Sequence, residues 1–282
     1  MAKTASRQIW LCADDYGLSP SVNAGIRELI AQGRLNAVSA MVVAPHLGKD
    51  EVRALEALNR PEKRAAIGLH VTLTRPFKPM SEGFSPLRDA SFLPLAEMTR
   101  TAVARRLKPE ALVNEITMQL RSFFAVFNRP PDFVDGHQHV HLFPQVRDAF
   151  VKVVAELAPN AWVRQCGRAN SLRRLHDRKA LVLDILSVAF RRRAERQGLI
   201  TNPAFAGTYH FKPKAKFAKI FPRFLTGLPD GGLIMCHPGF VDAELRRLDT
   251  LTDLRKREFV FFNSDEFSKM LAEHNVALVN PK

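Results

Sequence analysis

Three cysteines in 282 residues, at positions 12, 166 and 236, are too few and too widely spaced for a disulfide framework, so reduced thiols are expected. Tryptophan and tyrosine are equally scarce, two of each. The long aromatic platforms that grip polymeric glycans are therefore poorly supplied. No apolar run reaches the roughly 20 residues that a membrane-spanning helix requires. Met1 to Arg7 is too short and too polar for a signal peptide, and the expectation is a cytoplasmic protein, at most peripheral to a membrane. Internal repeats, low-complexity segments and interdomain linkers are all missing. The 46% of hydrophobic residues suffice for one large core, which reads as a single domain over residues 1–282. Acidic residues are in deficit too, 28 against 42 Lys and Arg, which leaves a net charge of +14. Such a balance attracts polyanions without choosing among them. No zinc-finger, RNA-recognition or helix-turn-helix signature is present, so no specific nucleic-acid partner is expected.

What is present is a series of apolar runs alternating with helical patterns. Gln8 to Ala13, Ala37 to Ala44, Ala66 to Leu73, Phe133 to His137, Ala161 to Gln165, Gly232 to Cys236 and Val276 to Val279 read as strands. Helices are expected from Ser19-Pro20 to about Gln32, over Asp50 to Asn59, from Pro109 to Phe127, from Pro144 to about Leu157 and over Ser264 to Glu273. Repeated strand–helix units indicate a parallel sheet, open or closed into a barrel. The Pro-, Phe- and Ser-rich stretch from Phe77 to Leu95, taken with its flanks as 74–98, is a long loop of the kind that binds substrate or acts as a lid. Ala180 to Phe190, followed by Arg191-Arg192-Arg193, reads first as a core helix with a solvated cationic end and second as a membrane-surface or nucleic-acid patch. It belongs to a basic excess that runs from Arg164 to Arg196, with a further group from Lys212 to Arg223.

Polar residues cluster where those strands end. Asp15, His70, His137 and His237 all fall at or just after the C-terminal ends of apolar runs, where parallel sheets and barrels place their active sites. The segment Asp135-Gly136-His137-Gln138-His139-Val140-His141 holds three imidazoles and a carboxylate at alternating positions, more coordinating power than a structural segment needs. In an extended strand, histidines two apart lie about 6.6 to 6.8 Å apart at Cα, so two neighbours reach a shared ion and all three do not. At least one of the three must therefore orient a ligand, contact substrate or bond the turn. Asp14 and Asp15 would repel each other in a buried pocket unless a cation neutralised them or one took up a proton. With a metal as that cation, one carboxylate ligates it and the other accepts a proton from water. The alternative is a helix-capping Asp beside a surface Asp. Tyr16-Gly17 implies a sharp turn that lets both consecutive side chains reach the site. Cys236 beside His237 raises a thiol nucleophile as a minor alternative.

The motifs Ala13-Asp14-Asp15-Tyr16-Gly17-Leu18-Ser19, Gly68-Leu69-His70, Asp135 to Pro144 and Cys236-His237-Pro238-Gly239 occur in one order across nearly the whole chain. In this combination the chain resembles the YdjC-like carbohydrate deacetylases, which include chitooligosaccharide deacetylases and hopanoid-associated members. Gly136 stands where that motif commonly has Ser or Asn. The resemblance implies a single-domain (β/α) barrel variant and metal-dependent hydrolysis of an N-acetyl group from an amino sugar. It further implies Asp15, His70 and His137 as metal ligands, Asp14 as general base and His237 as general acid. Asp135, His139 and His141 become supporting residues, and His210, within Gly207-Thr208-Tyr209-His210, a substrate contact. The expected cofactor is one divalent ion, Mg or Zn first, with Mn, Co or Ni admitted by the mixed oxygen and nitrogen donors. The expected partners are a small acetylated amino sugar or lipid-linked sugar, an anionic membrane met peripherally, and a second copy of the chain. Two other functions compete: a non-catalytic, metal-stabilised protein that binds membrane or nucleic acid, and a metal hydrolase of another amide or ester.

Overall fold

The short strands are apolar because both their faces are covered, as in parallel sheets flanked by helices. In the computed structural model, which describes residues 6–59, 65–169, 178–212 and 215–278, β1 (Arg7–Tyr16) lies at the centre. On one side follow β2 (Ala37–Ala40), β3 (Ala66–Val71), β4 (Phe133–Gly136) and β5 (Trp162–Val163). On the other lie β7 (Leu233–Cys236) and β6 (Phe205–Ala206), while β8 (Val276–Leu278) pairs with the start of β1. Every pairing between these strands is parallel. The two ends of the path meet. Val163 bridges Thr201 in parallel, and Phe205 N donates to Gly167 O at 2.9 Å, so the sheet closes as a (β/α) barrel variant.

Helices α1 (Pro20–Ala31), α2 (Lys49–Glu56), α3 (Leu95–Val103), α4 (Pro109–Phe127), α5 (Val146–Leu157) and α6 (Arg178–Arg196) follow the first strands. Then come α7 (Phe217–Ile220), α8 (Pro222–Leu225), α9 (Ala243–Leu248), α10 (Asp253–Phe262) and α11 (Asp265–Glu273). Local chemistry fixes the ends the sequence marks. Ser19 caps α1 by accepting from Val22 N, Ser264 caps α11 from Phe267 N, and Asn128 closes α4 in the left-handed region. All six residues of β3 are buried, and cutting Leu69 back to Ala would cost about 2–5 kcal/mol.

Several expectations need correction. The strand expected through His137 ends at Gly136, and His137–Leu142 instead forms a 3-10 segment with Gln138 and His139 at φ of 53° and 59°. The helix expected from Pro144 begins at Val146, and residues 95–98 of the supposed loop belong to α3. Within that loop Phe84 and Phe92 do not face a ligand but are buried edge-to-face, with ring centroids 5.1 Å apart. The apolar run in α6 is a core helix on one face only, where Leu183, Leu186 and Phe190 pack against the core. Phe190 is buried, whereas Val182 and Ile185 stand in solvent. The basic pair Arg173-Arg174 and the end of the last predicted strand, Val279, lie outside the described residues.

Candidate active site at the mouth of the barrel

Asp14 and Asp15 sit at the last turn of β1, where its register against β2 slips. Ala13 faces Val38 and Tyr16 faces Ala40, so two residues of β1 oppose the single Ser39. This bulge, with Asp15 at φ 69°, turns two consecutive carboxylates into the barrel mouth. The sharp Tyr16-Gly17 turn lies just beyond it, with Gly17 at φ 101°, but the bulge itself does the redirecting.

His70, next to last in β3, is in register with Asp135 of β4. Its Nδ1 lies 2.5 Å from Asp135 Oδ1, and Ser39 donates to the same oxygen at 2.6 Å. Asp135 thereby fixes the ring and turns Nε2 toward Asp15 Oδ1, 3.4 Å away. His137, the first residue after β4, brings its Nδ1 to 2.9 Å from the same Asp15 oxygen. Donor atoms of Asp15, His70 and His137 all lie within 4.8 Å of one another. An ion about 2.1 Å from each donor would spread neighbouring donors by roughly 3.0 to 3.4 Å, so three such atoms fit one cation. A second acidic group, Cys12, Asp14 and Asp135, has comparable spacing, but its positive charge comes from the protein. Arg164, just after β5 and completely buried, forks onto Asp14 with two bonds of 2.7 Å and reaches Asp135 Oδ2 at 2.5 Å. Arg255 of α10 does the same service for Asp15, at 2.6 Å from Oδ2, while its other carboxylate partner is Asp249.

Electrostatics follow from this crowding. Burial pushes the Asp15 carboxyl up, but Arg255 and His137 outweigh it and hold the group well below the usual carboxylate range. Burial likewise opposes charge on His70, yet Asp135 and Asp14 raise it to about 10. His237, directly after β7, is lowered by burial against the pull of Asp15, and its Nδ1 has no hydrogen-bond partner among the described residues. Its backbone N donates to Glu258 Oε2 at 2.5 Å. Glu258 also accepts from Tyr209 and is lifted by burial to about 7.

The remaining histidines go elsewhere, because the left-handed turn after Gly136 splits the alternating cluster. His141 is buried between Phe150 and Phe190 and bonds Arg164 O at 2.8 Å, and burial lowers it to about 4. A Cβ at Gly136 would lie 2.7 Å from His141 Nδ1, a local reason for glycine at this position. His139 sits against Phe205, its Nδ1 3.4 Å from Cys166 Sγ. His210 is exposed; from its motif it is Tyr209 that reaches toward His237, through Glu258. Of the loop phenylalanines, Phe77 stands edge-on to His137 with centroids 6.2 Å apart. Cys236 is buried with its thiol pushed up by desolvation, which removes it as a nucleophile. Arg164, Arg255, Glu258 and Ser39 did not figure among the sequence candidates. Arg164 alone carried a signal, being a charge at the end of an apolar run.

A parallel barrel whose strand ends gather carboxylates and imidazoles around one point defines the class of the protein. Residues 8–273 match the family described as YdjC-like protein, and the chain belongs to that family. It is 27% identical over 242 residues to a chitooligosaccharide deacetylase of Yersinia enterocolitica, across 83% of this chain and 82% of the relative. A chitooligosaccharide deacetylase of Citrobacter koseri is 28% identical over 239 residues, with the same shares covered. Among solved structures, a candidate cellobiose-phosphate cleavage protein of Enterococcus faecalis V583 superposes with a TM-score of 0.70. It shares 22% identity and 98% of each chain is covered, a likeness of fold.

Proposed function

We propose that the chain is a divalent-metal-dependent carbohydrate deacetylase that removes the N-acetyl group from a short or lipid-linked acetylated amino sugar. Asp15, His70 and His137 are the proposed ligands, and Zn, Mg, Mn, Co and Ni are all compatible with two nitrogens and one carboxylate. The observation that carries the reading is the meeting of His70 Nε2 and His137 Nδ1 on one oxygen of Asp15, with Asp14 beside them. Membership of the family and the names of the two bacterial relatives supply the substrate class.

A divalent ion bound there supplies polarisation of the acetamide carbonyl and a more acidic water. Asp14 takes the proton from the attacking water. Oδ1 accepts from Arg164 and from the Cys12 thiol at 3.7 Å, whereas Oδ2 accepts from Arg164 and, with two lone pairs on a carboxylate oxygen, keeps one for the proton. Arg164 thus fixes the direction in which the base points. His237 hands a proton to the departing amine nitrogen. An imidazole held below its usual range is a stronger acid but a less populated one, so transfer is easy and the rate falls on the alkaline side of its titration. Water adds to the acyl carbon, the C–N bond breaks, and acetate and a free amine leave.

The test is acetate release from N-acetylglucosamine oligomers by metal-stripped and metal-reloaded protein, alongside ester and phosphate-ester panels. Activity that needs the metal and is lost at least 1000-fold in Asp14→Asn, with metal binding kept, is the expected result. Release of acetate by the metal-free protein, or a fully active Asp14→Asn, would refute the assignment.

A further inference from the structure

Helix α6 carries apolar residues on its outward face as well as on its inward one. Its polar residues Asp184 and Ser187 are buried, and they bond the loop just beyond β5. Asp184 Oδ1 accepts from Arg168 N at 2.8 Å and Ser187 Oγ accepts from Cys166 N at 3.0 Å. Leu183, Leu186 and Phe190 pack on the core, but a second set of apolar residues points outward: Val182 is 54% exposed, Ile185 63% and Val188 39%, with Ala189 exposed beside them. The spacing 182, 185, 189, 192, 196 follows a single helix face, so the same stripe continues into the exposed Arg192 and Arg196. An outward face that is aliphatic over two turns and cationic over the next two has no role in the barrel or in the site chemistry.

We infer that this face of α6 docks on an anionic lipid surface. Shallow aliphatic side chains fit the boundary between headgroups and acyl chains, while the arginines meet lipid phosphate, as interfacial helices do. Charge chooses among the possible occupants. A second copy would bring another chain of net charge +14 and the same arginines to the contact, whereas an anionic bilayer is complementary. Nucleic acid is served by the arginines but not by valine and isoleucine, which offer its bases no stacking surface. Because Asp184 and Ser187 hold residues directly after β5, the aliphatic half of α6 lies at the mouth end of the barrel. Docking there brings the mouth toward the headgroup layer. That consequence for a lipid-linked substrate rests on the deacetylase reading; the docking itself does not.

The full chain is sedimented with vesicles of phosphatidylcholine alone and with about 30% phosphatidylglycerol, in the absence of substrate. Wild type is expected to bind the anionic vesicles and not the neutral ones, and to be released by raised salt. Arg192→Ala/Arg196→Ala should lower partitioning about 30-fold and Val182→Ser/Ile185→Ser/Val188→Ser at least tenfold. The single change Ile185→Ser, with an unchanged melting curve, decides the matter should the triple variant misfold, and a loss of threefold or more is expected from it. Failure of wild type to bind, equal binding by the variants, or equal binding to neutral vesicles overturns the inference. So does concentration-dependent self-association in ultracentrifugation that the same substitutions abolish, since the face then belongs to a second copy.

Discussion

Replacing Arg164 by methionine tests the logic of the site more severely than replacing any ligand. The guanidinium is completely buried and holds two carboxylates, Asp14 by two bonds of 2.7 Å and Asp135 at 2.5 Å. Methionine preserves the apolar stem and deletes the charge, leaving two buried carboxylates without their cation. Removing one partner of a buried ion pair costs about 3–5 kcal/mol. Unfolding entropy of about 2.1 cal/mol/K per residue over 282 residues gives roughly 0.6 kcal/mol/K, so the midpoint should fall by about 5 to 8 °C. Lysine separates charge from geometry, because it restores the cation without the planar fork. Arg164→Lys should therefore recover at least half of the lost stability and bind metal within tenfold of wild type. Its turnover should still drop by about 100-fold, since Asp14 is no longer aimed. Calorimetry, metal titration and acetate release read these three quantities separately. A methionine variant that melts within about 1 °C of wild type, or a lysine variant with wild-type turnover, would show that Asp14 is held by something else.

Two further perturbations bear on the proposed ligands. Asp135→Asn keeps the shape of the residue that orients His70 but removes its charge, so metal affinity should weaken about 10- to 100-fold in competition with a chromophoric chelator; unchanged affinity would remove Asp135 from the site. The metal-free protein should also lose stability as pH rises from 6.5 to about 10. His70 is raised in the folded state, so its contribution is complete below its ordinary value and disappears as pH climbs through about 10. Asp15, depressed in the folded state, acts in the opposite direction: its contribution is present above the ordinary carboxylate range and is lost on acidification. Denaturant midpoints of metal-free protein that stay flat between pH 7 and 10 would contradict the assignment for His70.

The strands that carry the site were legible because parallel strands buried on both faces read as apolar runs, and a polar residue at the end of such a run has to face the mouth. Asp15, His70, His137 and His237 could be placed on that ground alone. The fate of His139 and His141 could not. Their alternation imitates a strand, and nothing in Gln138-His139 announces left-handed backbone, which non-glycine residues seldom adopt. Arg164 was hidden by the basic stretch it opens, which reads as solvated surface. Arg255 lies in a helix with five charged residues among ten, where no local pattern singles out the one that turns inward. The inward turn of the polar residues of α6 was illegible for a related reason: burial of Asp184 and Ser187 depends on backbone donors from a distant loop.

These two arginines change the physical argument for the metal. Adjacent aspartates in a buried pocket require a cation or a proton, and each has its own guanidinium, Asp14 with Arg164 and Asp15 with Arg255. Repulsion between them is already relieved, so the pair by itself does not require an ion. The remaining imbalance is what points to one. Asp14, Asp15 and Asp135 bring three negative charges into a dry site, and Arg164 and Arg255 return two positive ones, while Asp249 is partly exposed and screened by water. One negative charge is left over, and the proton that His70 holds up to about pH 10 matches it. Cation binding at Asp15, His70 and His137 must displace that proton, which makes His70 neutral and its Nε2 a donor. Binding should then release about one proton near neutral pH, and apparent affinity should rise about tenfold per pH unit until His70 titrates. Calorimetry in buffers of different ionisation enthalpy counts the proton directly. A release of zero would mean that the ion, wherever it binds, does not take its place on His70.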